Sequence, residues 1–104
     1  MKVVILGEDV DLTAAVAQAA IEMDATPLIA GREAVLVAQT AAEAGSTVMK
    51  VQTSDDNVNW TDVLTLNADT PVRIAQLKLA KYLRLNVTTA GTAGTGSAYL
   101  FASA

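Results

Sequence analysis

Apolar and polar residues alternate most clearly in the middle of the chain, on either side of a short polar run. Met49 and Val51 alternate with polar neighbours, which predicts a strand with one apolar and one hydrated face. Residues 54–57 (Ser-Asp-Asp-Asn) tolerate turn conformations and hydrogen-bond their own backbone. Trp60, the single tryptophan, opens the returning strand. The segment 48–64 is therefore predicted to form a β-hairpin.

The same alternation predicts further strands before and after this hairpin. Residues 34–38 are apolar on both faces, as in a central strand or one covered by another subunit. The predicted strands cover residues 2–6, 20–24, 34–38, 47–53, 60–66, 72–74, 81–88 and 98–102. About seven to eight short strands joined by turn signals predict an all-β fold, an antiparallel β-sandwich of jelly-roll or immunoglobulin-like type.

A small set of side chains is predicted to anchor the core of this sandwich: Trp60, Met49, Val51, Leu83, Leu85 and Val87. Trp60 has a second interpretation, as a platform on which a sugar stacks, but a lone tryptophan at a strand start is more often a core or edge anchor. Strict alternation puts Trp60, Asp62 and Leu64 on one face, which conflicts with a buried Trp60. A bulge near Thr61 or Asp62 would resolve the conflict.

Residues 1–17 form an N-terminal arm or an edge strand, and residues 18–104 form one sandwich domain. Four adjacent apolar residues, Val3, Val4, Ile5 and Leu6, precede a cluster of acidic residues. These four are the candidate partner contacts, either in an arm that reaches a neighbouring subunit or in an additional strand of the sandwich.

Two segments have patterns that also allow a helix. Residues 12–23 place apolar side chains near helical spacing, although an extended arm to about Ala17 followed by a strand is favoured. Residues 76–81 are helical by composition alone.

Composition narrows the possible functions of this 104-residue chain. It contains neither cysteine nor histidine, so disulfides, thiolate metal sites and a histidine base are excluded. The formal net charge of −4 disfavours direct nucleic-acid binding. No apolar run is long enough to span a membrane or serve as a signal peptide. A content of 52% hydrophobic residues, many of them small, suggests that part of the surface is covered by a partner.

None of the short sequence motifs predicts a metal site, a phosphate-binding site or a catalytic site. Asp55, Asp56 and Asn57 offer oxygen ligands for calcium, but turn preference explains them without a metal. The glycine-rich run 91–96 lacks the lysine of a phosphate-binding loop. No pair of carboxylates has a nucleophile or base nearby in sequence, so we expect no enzymatic activity, no cofactor and no metal.

Two motifs carry a resemblance to known proteins. The hairpin 52–63 resembles a pattern of strand followed by "S-x-D-G-x-x-W-x-x-V", and residues 80–87 are similar to an "R-Y-V-R" strand. Both occur together in discoidin-like galactose-binding sandwiches and in small alanine- and threonine-rich head proteins of tailed bacteriophages. The chain is similar to the phage order from about Ala20 to Ala104, with Asn57 where glycine is usual and Leu83 where valine is usual.

The length and the lack of cysteine suit the phage group better. The resemblance implies a non-enzymatic decoration (cement) protein on the outer capsid surface of a virion, assembled in the host cytoplasm. Its partners would be the major capsid protein and copies of itself, as a homodimer or homotrimer, with no nucleic acid and no membrane. The alternatives are a carbohydrate-binding adhesion module and a tail accessory subunit.

Overall fold

A computed structural model describes residues 2–25, 31–41, 47–67, 70–91 and 93–102. The described residues form eight strands and one short 3-10 turn (η1, Met23–Ala25). The strands are β1 (Lys2–Asp11), β2 (Ile21–Glu22), β3 (Glu33–Ala41), β4 (Val48–Ser54), β5 (Thr61–Leu66), β6 (Val72–Lys78), β7 (Tyr82–Thr89) and β8 (Thr95–Ala102). Across these ranges, no helix has the length and apolar character needed to cross a membrane.

The strands lie in two four-stranded sheets. Sheet A has the order β1-β8-β3-β6, and sheet B has the order β2-β7-β4-β5. Every neighbouring pair is antiparallel. The predicted antiparallel β-sandwich is therefore confirmed, with two inner faces that pack against each other.

The core lies between the sheets and is built from alternate residues of each strand. Sheet A contributes Val4, Leu6, Leu36 and Leu100, and sheet B contributes the five predicted anchors Met49, Val51, Leu83, Leu85 and Val87. Each of these five is at most 1% exposed. Trp60 is only half-buried and lies outside this core.

Residues 2–11 form a full strand at the edge of sheet A, where β1 pairs with β8. Its regular part pairs Val3 with Phe101 and Ile5 with Tyr99. The chain then turns at residues 12–14 and crosses to sheet B. There the Gln18 amide donates to the Leu85 carbonyl (2.8 Å), and Ala17 forms an isolated bridge with Asn86.

Two local expectations need correction. The helix that composition allows over residues 76–81 is wrong, because residues 76–78 belong to β6 and pair with β3. The helical alternative for residues 12–23 is also wrong, since residues 12–22 form a turn, a bend, an isolated bridge and the short strand β2, with no helix before the 3-10 turn at Met23. In both segments, tertiary pairing overrides the weak local preference.

A bulge interrupts the hairpin of β4 and β5 close to the predicted position, although Trp60, whose expected burial was the reason to predict it, is only half-buried. Val51 pairs with Leu64 but Gln52 pairs with Asp62, so Val63 is the additional residue. It lies one position beyond the predicted place. The bulge lets Asp62 lie on the outer face of sheet B while Leu64 enters the core.

Candidate functional site: two sheet faces of opposite chemistry

The outer face of sheet B carries a continuous polar network around Gln52. The Gln52 carboxamide oxygen accepts hydrogen bonds from Arg84 Nε (2.9 Å) and from Asn86 Nδ2 (3.1 Å). Its amide nitrogen donates to Asp62 Oδ1 (2.9 Å). Gln52 is only 8% exposed, and all of its side-chain hydrogen-bonding atoms have partners. The network therefore ties together three strands, β5, β4 and β7.

Lys50 extends this network at its edge. Its ammonium lies 2.8 Å from Asp62 Oδ2, so both Asp62 oxygens have donors. The hydrogen bond from Lys50, followed by that from Gln52, lowers the pKa of Asp62 below its ordinary value. The carboxylate stays ionised at neutral pH, and the face is held rigid by charge-assisted contacts.

Trp60 lies on the same polar face. The Arg84 guanidinium carbon is 4.1 Å from the centroid of the Trp60 ring, a close cation–π contact. One ring face is therefore occupied by a side chain of the protein itself. Trp60 thus supports the polar network through Arg84, at the end nearest the hairpin turn. The Arg84 guanidinium also competes with any sugar that would stack on the same ring face.

The turn of the hairpin is organised by Asp56. Its Oδ1 accepts the backbone N–H groups of Val58 and Asn59 (both 2.8 Å) and the Ser54 hydroxyl (2.9 Å), while Oδ2 accepts Asn59 Nδ2 (2.7 Å). These donors, with the Asn59 amide first, hold the pKa of Asp56 well below its usual range. Asn57 has a φ of 62°, in the left-handed region that glycine adopts freely and asparagine tolerates. Both carboxylate oxygens of Asp56 are thus used to fold the turn.

The possible metal ligands and the glycine-rich run 91–96 also have structural explanations. No group of three or more acidic side chains within the described ranges is placed to hold a metal ion. In the glycine-rich run, Thr92 lies outside the described residues. The flanking backbone is bonded to Leu12: the Gly91 amide donates to the Leu12 carbonyl (2.8 Å), and the Leu12 amide donates to the Gly94 carbonyl (3.1 Å).

The outer face of sheet A has the opposite character. It presents apolar side chains from all four strands in register, with Phe101 opposite both Val3 and Val35, and Tyr99 opposite both Ile5 and Val37. We call this set the apolar face; it comprises Val3, Ile5, Val35, Val37, Val72, Ile74, Tyr99 and Phe101. Ile74 is 69% exposed and Val72 is 55% exposed. The Tyr99 and Phe101 rings lie side by side at its centre, with centroids 6.4 Å apart.

The four candidate partner contacts divide between the two sides of sheet A. Val4 and Leu6 point into the core, whereas Val3 and Ile5 belong to the apolar face and are 47% and 49% exposed. The other six members of this face come from strands far away in sequence, and sequence reasoning did not assign them. The signal for them was the run 34–38, which is apolar on both sides.

Comparisons of this chain with known protein families, with curated proteins and with solved structures give no match.

Proposed function

We propose that this chain is a non-enzymatic structural subunit of a tailed-phage virion that decorates the capsid and stabilises it by bridging capsomers. The observation that carries the proposal is the apolar face of sheet A. The largest apolar patch on a soluble protein is often functional, and an apolar patch rimmed by polar residues marks a site of contact with other proteins. The hairpin and strand motifs, which resemble phage head proteins, supply the context.

The two faces suit a clamp rather than an enzyme. Sheet B is locked by the hydrogen bonds around Gln52, and its turn is locked by those to Asp56. A rigid module loses little conformational entropy when it binds, so more of its contact energy remains as affinity. Repetition over a capsid lattice then multiplies weak individual contacts into strong attachment.

The test starts from virions of the phage that encodes the chain. Mass spectrometry of purified particles should detect the protein, and labelled antibody in electron microscopy should place it on the head. Shells assembled without it should bind added protein in sedimentation assays and should then disrupt at a higher temperature. Labelling of the tail would support the tail accessory alternative instead.

Absence from virions would contradict the proposal. A glycan array provides the opposing measurement: binding of a sugar that is lost in Trp60→Ala, with no binding to shells, would establish the adhesion alternative. The matched control is Val58→Ala, because Val58 lies in the same turn, is 75% exposed and has no part in the Trp60–Arg84 contact.

A further inference from the structure

The apolar face is exposed in the single chain and offers a surface that a partner can cover. Three rows of side chains run across sheet A. They contain Val3, Phe101, Val35 and Gln76 in the first row; Ile5, Tyr99, Val37 and Ile74 in the second; and Ser97, Gln39 and Val72 in the third. None of these described residues is charged. A partner on this face is therefore held mainly by apolar contact and shape, without ion pairs to these rows.

We propose that the partner is a second copy of this chain, which packs sheet A against sheet A in a two-fold symmetric dimer. The dimer itself stands on the geometry of sheet A. Its role as a clamp rests on the proposed function.

The size of the face suits such a dimer. Four strands at a spacing of about 4.8 Å and three rows along the strands give a mostly apolar face of roughly 20 by 20 Å, or about 400 Å². A rim one residue wide raises this to about 700 Å² per copy, close to the roughly 800 Å² per partner of a standard interface. An apolar centre with a polar rim is also the usual anatomy of such interfaces.

Local charge is compatible with an identical partner. Two charged residues of opposite sign, Glu33 and Lys78, lie directly opposite each other in the register of β3 and β6, at one end of this side of sheet A. Gln76 Nε2 also donates to Glu33 Oε2 (3.0 Å). That end of the face is therefore locally neutral, while Asp9, whose amide donates to Ser97, lies beside the third row. Since the three rows themselves contain no charged residue, two copies meet without charge repulsion at the centre of the face.

Two-fold symmetry pairs complementary shapes. The two-fold axis lies between the two packed sheets, parallel to the strands and level with the gap between β8 and β3. Each β8 then lies over β3 of the other copy, and each β1 lies over β6 of the other copy. Tyr99 then faces Val37 of the second copy, Phe101 faces Val35, and Ile5 faces Ile74. Aromatic rings against β-branched side chains pack well across sheets, and every contact occurs twice.

The open edge of β1 is a poorer docking site than this face. Its register is interrupted between Ile5 and Gly7 and again between Gly7 and Val10. Asp9 has a φ of 51°, and its amide donates to the Ser97 hydroxyl (3.0 Å). Bulges and acidic residues of this kind are features that prevent pairing of edge strands between molecules.

A dimer of this form has two identical outer surfaces with which it can contact other proteins. Stacking through sheet A leaves both copies of sheet B, with their polar networks, on opposite outer surfaces. One unit can thus contact two neighbouring capsomers with the same surface, as bridging requires.

The experiment measures the mass of the purified protein in solution by sedimentation equilibrium. We expect a species of twice the 10.8 kDa chain mass at micromolar concentration. Ile74→Lys should weaken dimerisation by at least about thirtyfold, since it places two charges in the interface. Val58→Lys is the matched control: it adds the same charge at an equally exposed valine away from sheet A and should leave the dimer intact.

A second measurement uses the absence of cysteine from the natural chain. In Val35→Cys the new thiol should become protected from a maleimide reagent as protein concentration rises, whereas the thiol of Val58→Cys should react equally at all concentrations. A wild-type protein that stays monomeric at about 100 µM would overturn the proposal, because even a Kd of about 1 µM would populate the dimer there. A dimer that is unaffected by Ile74→Lys, with a Val35→Cys thiol that remains reactive, would also overturn it.

Shell binding separates this inference from the proposed function. A dimer that fails to bind shells leaves the inference intact and removes the function. If the protein is a monomer and Ile74→Lys abolishes its attachment to shells, the dimer is removed and the proposed function is kept, since the face would then contact the capsid directly.

Discussion

Replacement of Gln52 by methionine tests whether the polar network of sheet B stabilises the fold. Methionine keeps nearly the same volume but removes the hydrogen bonds to Asp62, Arg84 and Asn86. Each such bond contributes a net of about 0.5–1.5 kcal/mol. Asp62 keeps Lys50 and Arg84 keeps Trp60, so we apply these net values without a further penalty for unpaired groups. The expected loss in unfolding free energy is about 2–4 kcal/mol.

Thermal denaturation followed by circular dichroism measures this loss. For a domain of this length, about 1 kcal/mol corresponds to a shift of roughly 4–8 °C, so Gln52→Met should melt roughly 10–25 °C below the wild type. Val58→Met is the control, because it introduces a methionine at a position that is 75% exposed and lies outside both the polar network and the apolar face, and it should melt within a few degrees of the wild type. Equal melting temperatures for Gln52→Met and the wild type would refute the idea that the network stabilises the sheet.

Three further predictions concern the core, the turn and Trp60. Leu100→Ala should lower the unfolding free energy by about 3–5 kcal/mol in urea titrations, because Leu100 is fully buried between Val4 and Leu36. The pKa of Asp56 is lower in the fold than in the unfolded chain, so its contribution is complete above about pH 5 and is lost as the pH falls toward about 2; acid titration of Asp56→Asn should show a shallower loss than the wild type. Trp60→Ala should cost only about 1–2 kcal/mol by thermal melting, since the half-buried ring mainly contacts Arg84; a cost as large as that of Leu100→Ala would contradict this placement.

Local patterns in the sequence were sufficient for the strands and for much of the core. Alternation in residues 49–51 and 83–87 marks which side chains share a face, and the more apolar set fills the space between the sheets. The turn at residues 54–59 also follows from short-range chemistry, because Asp56 bonds to residues only two and three positions away.

The apolar face lay beyond local patterns for a physical reason. Val3, Val35, Ile74 and Phe101 are brought together only by pairing of strands far apart in the chain. A residue's own neighbours specify its side of the strand but not which strands lie beside it. Trp60 is a related case, since a single bulge decides whether the following residues point into the core or onto the polar face.

The position of β8 in sheet A also determines when sheet A can finish folding. Among the described strands, β1 is synthesised first and its partner β8 is synthesised last. At synthesis rates of about 5–20 residues per second, Val3–Leu6 waits for several seconds without a partner, while the hairpin of β4 and β5 can close in microseconds. Insertion of β8 between β1 and β3 is therefore a late, non-local and slow step of folding.

That same step delivers Tyr99 and Phe101 to the centre of the apolar face. A nascent chain without β8 has only a divided surface, with β1 and β3 unconnected. The proposed dimer therefore requires that β8 has already joined sheet A, so a chain that lacks β8 cannot form it.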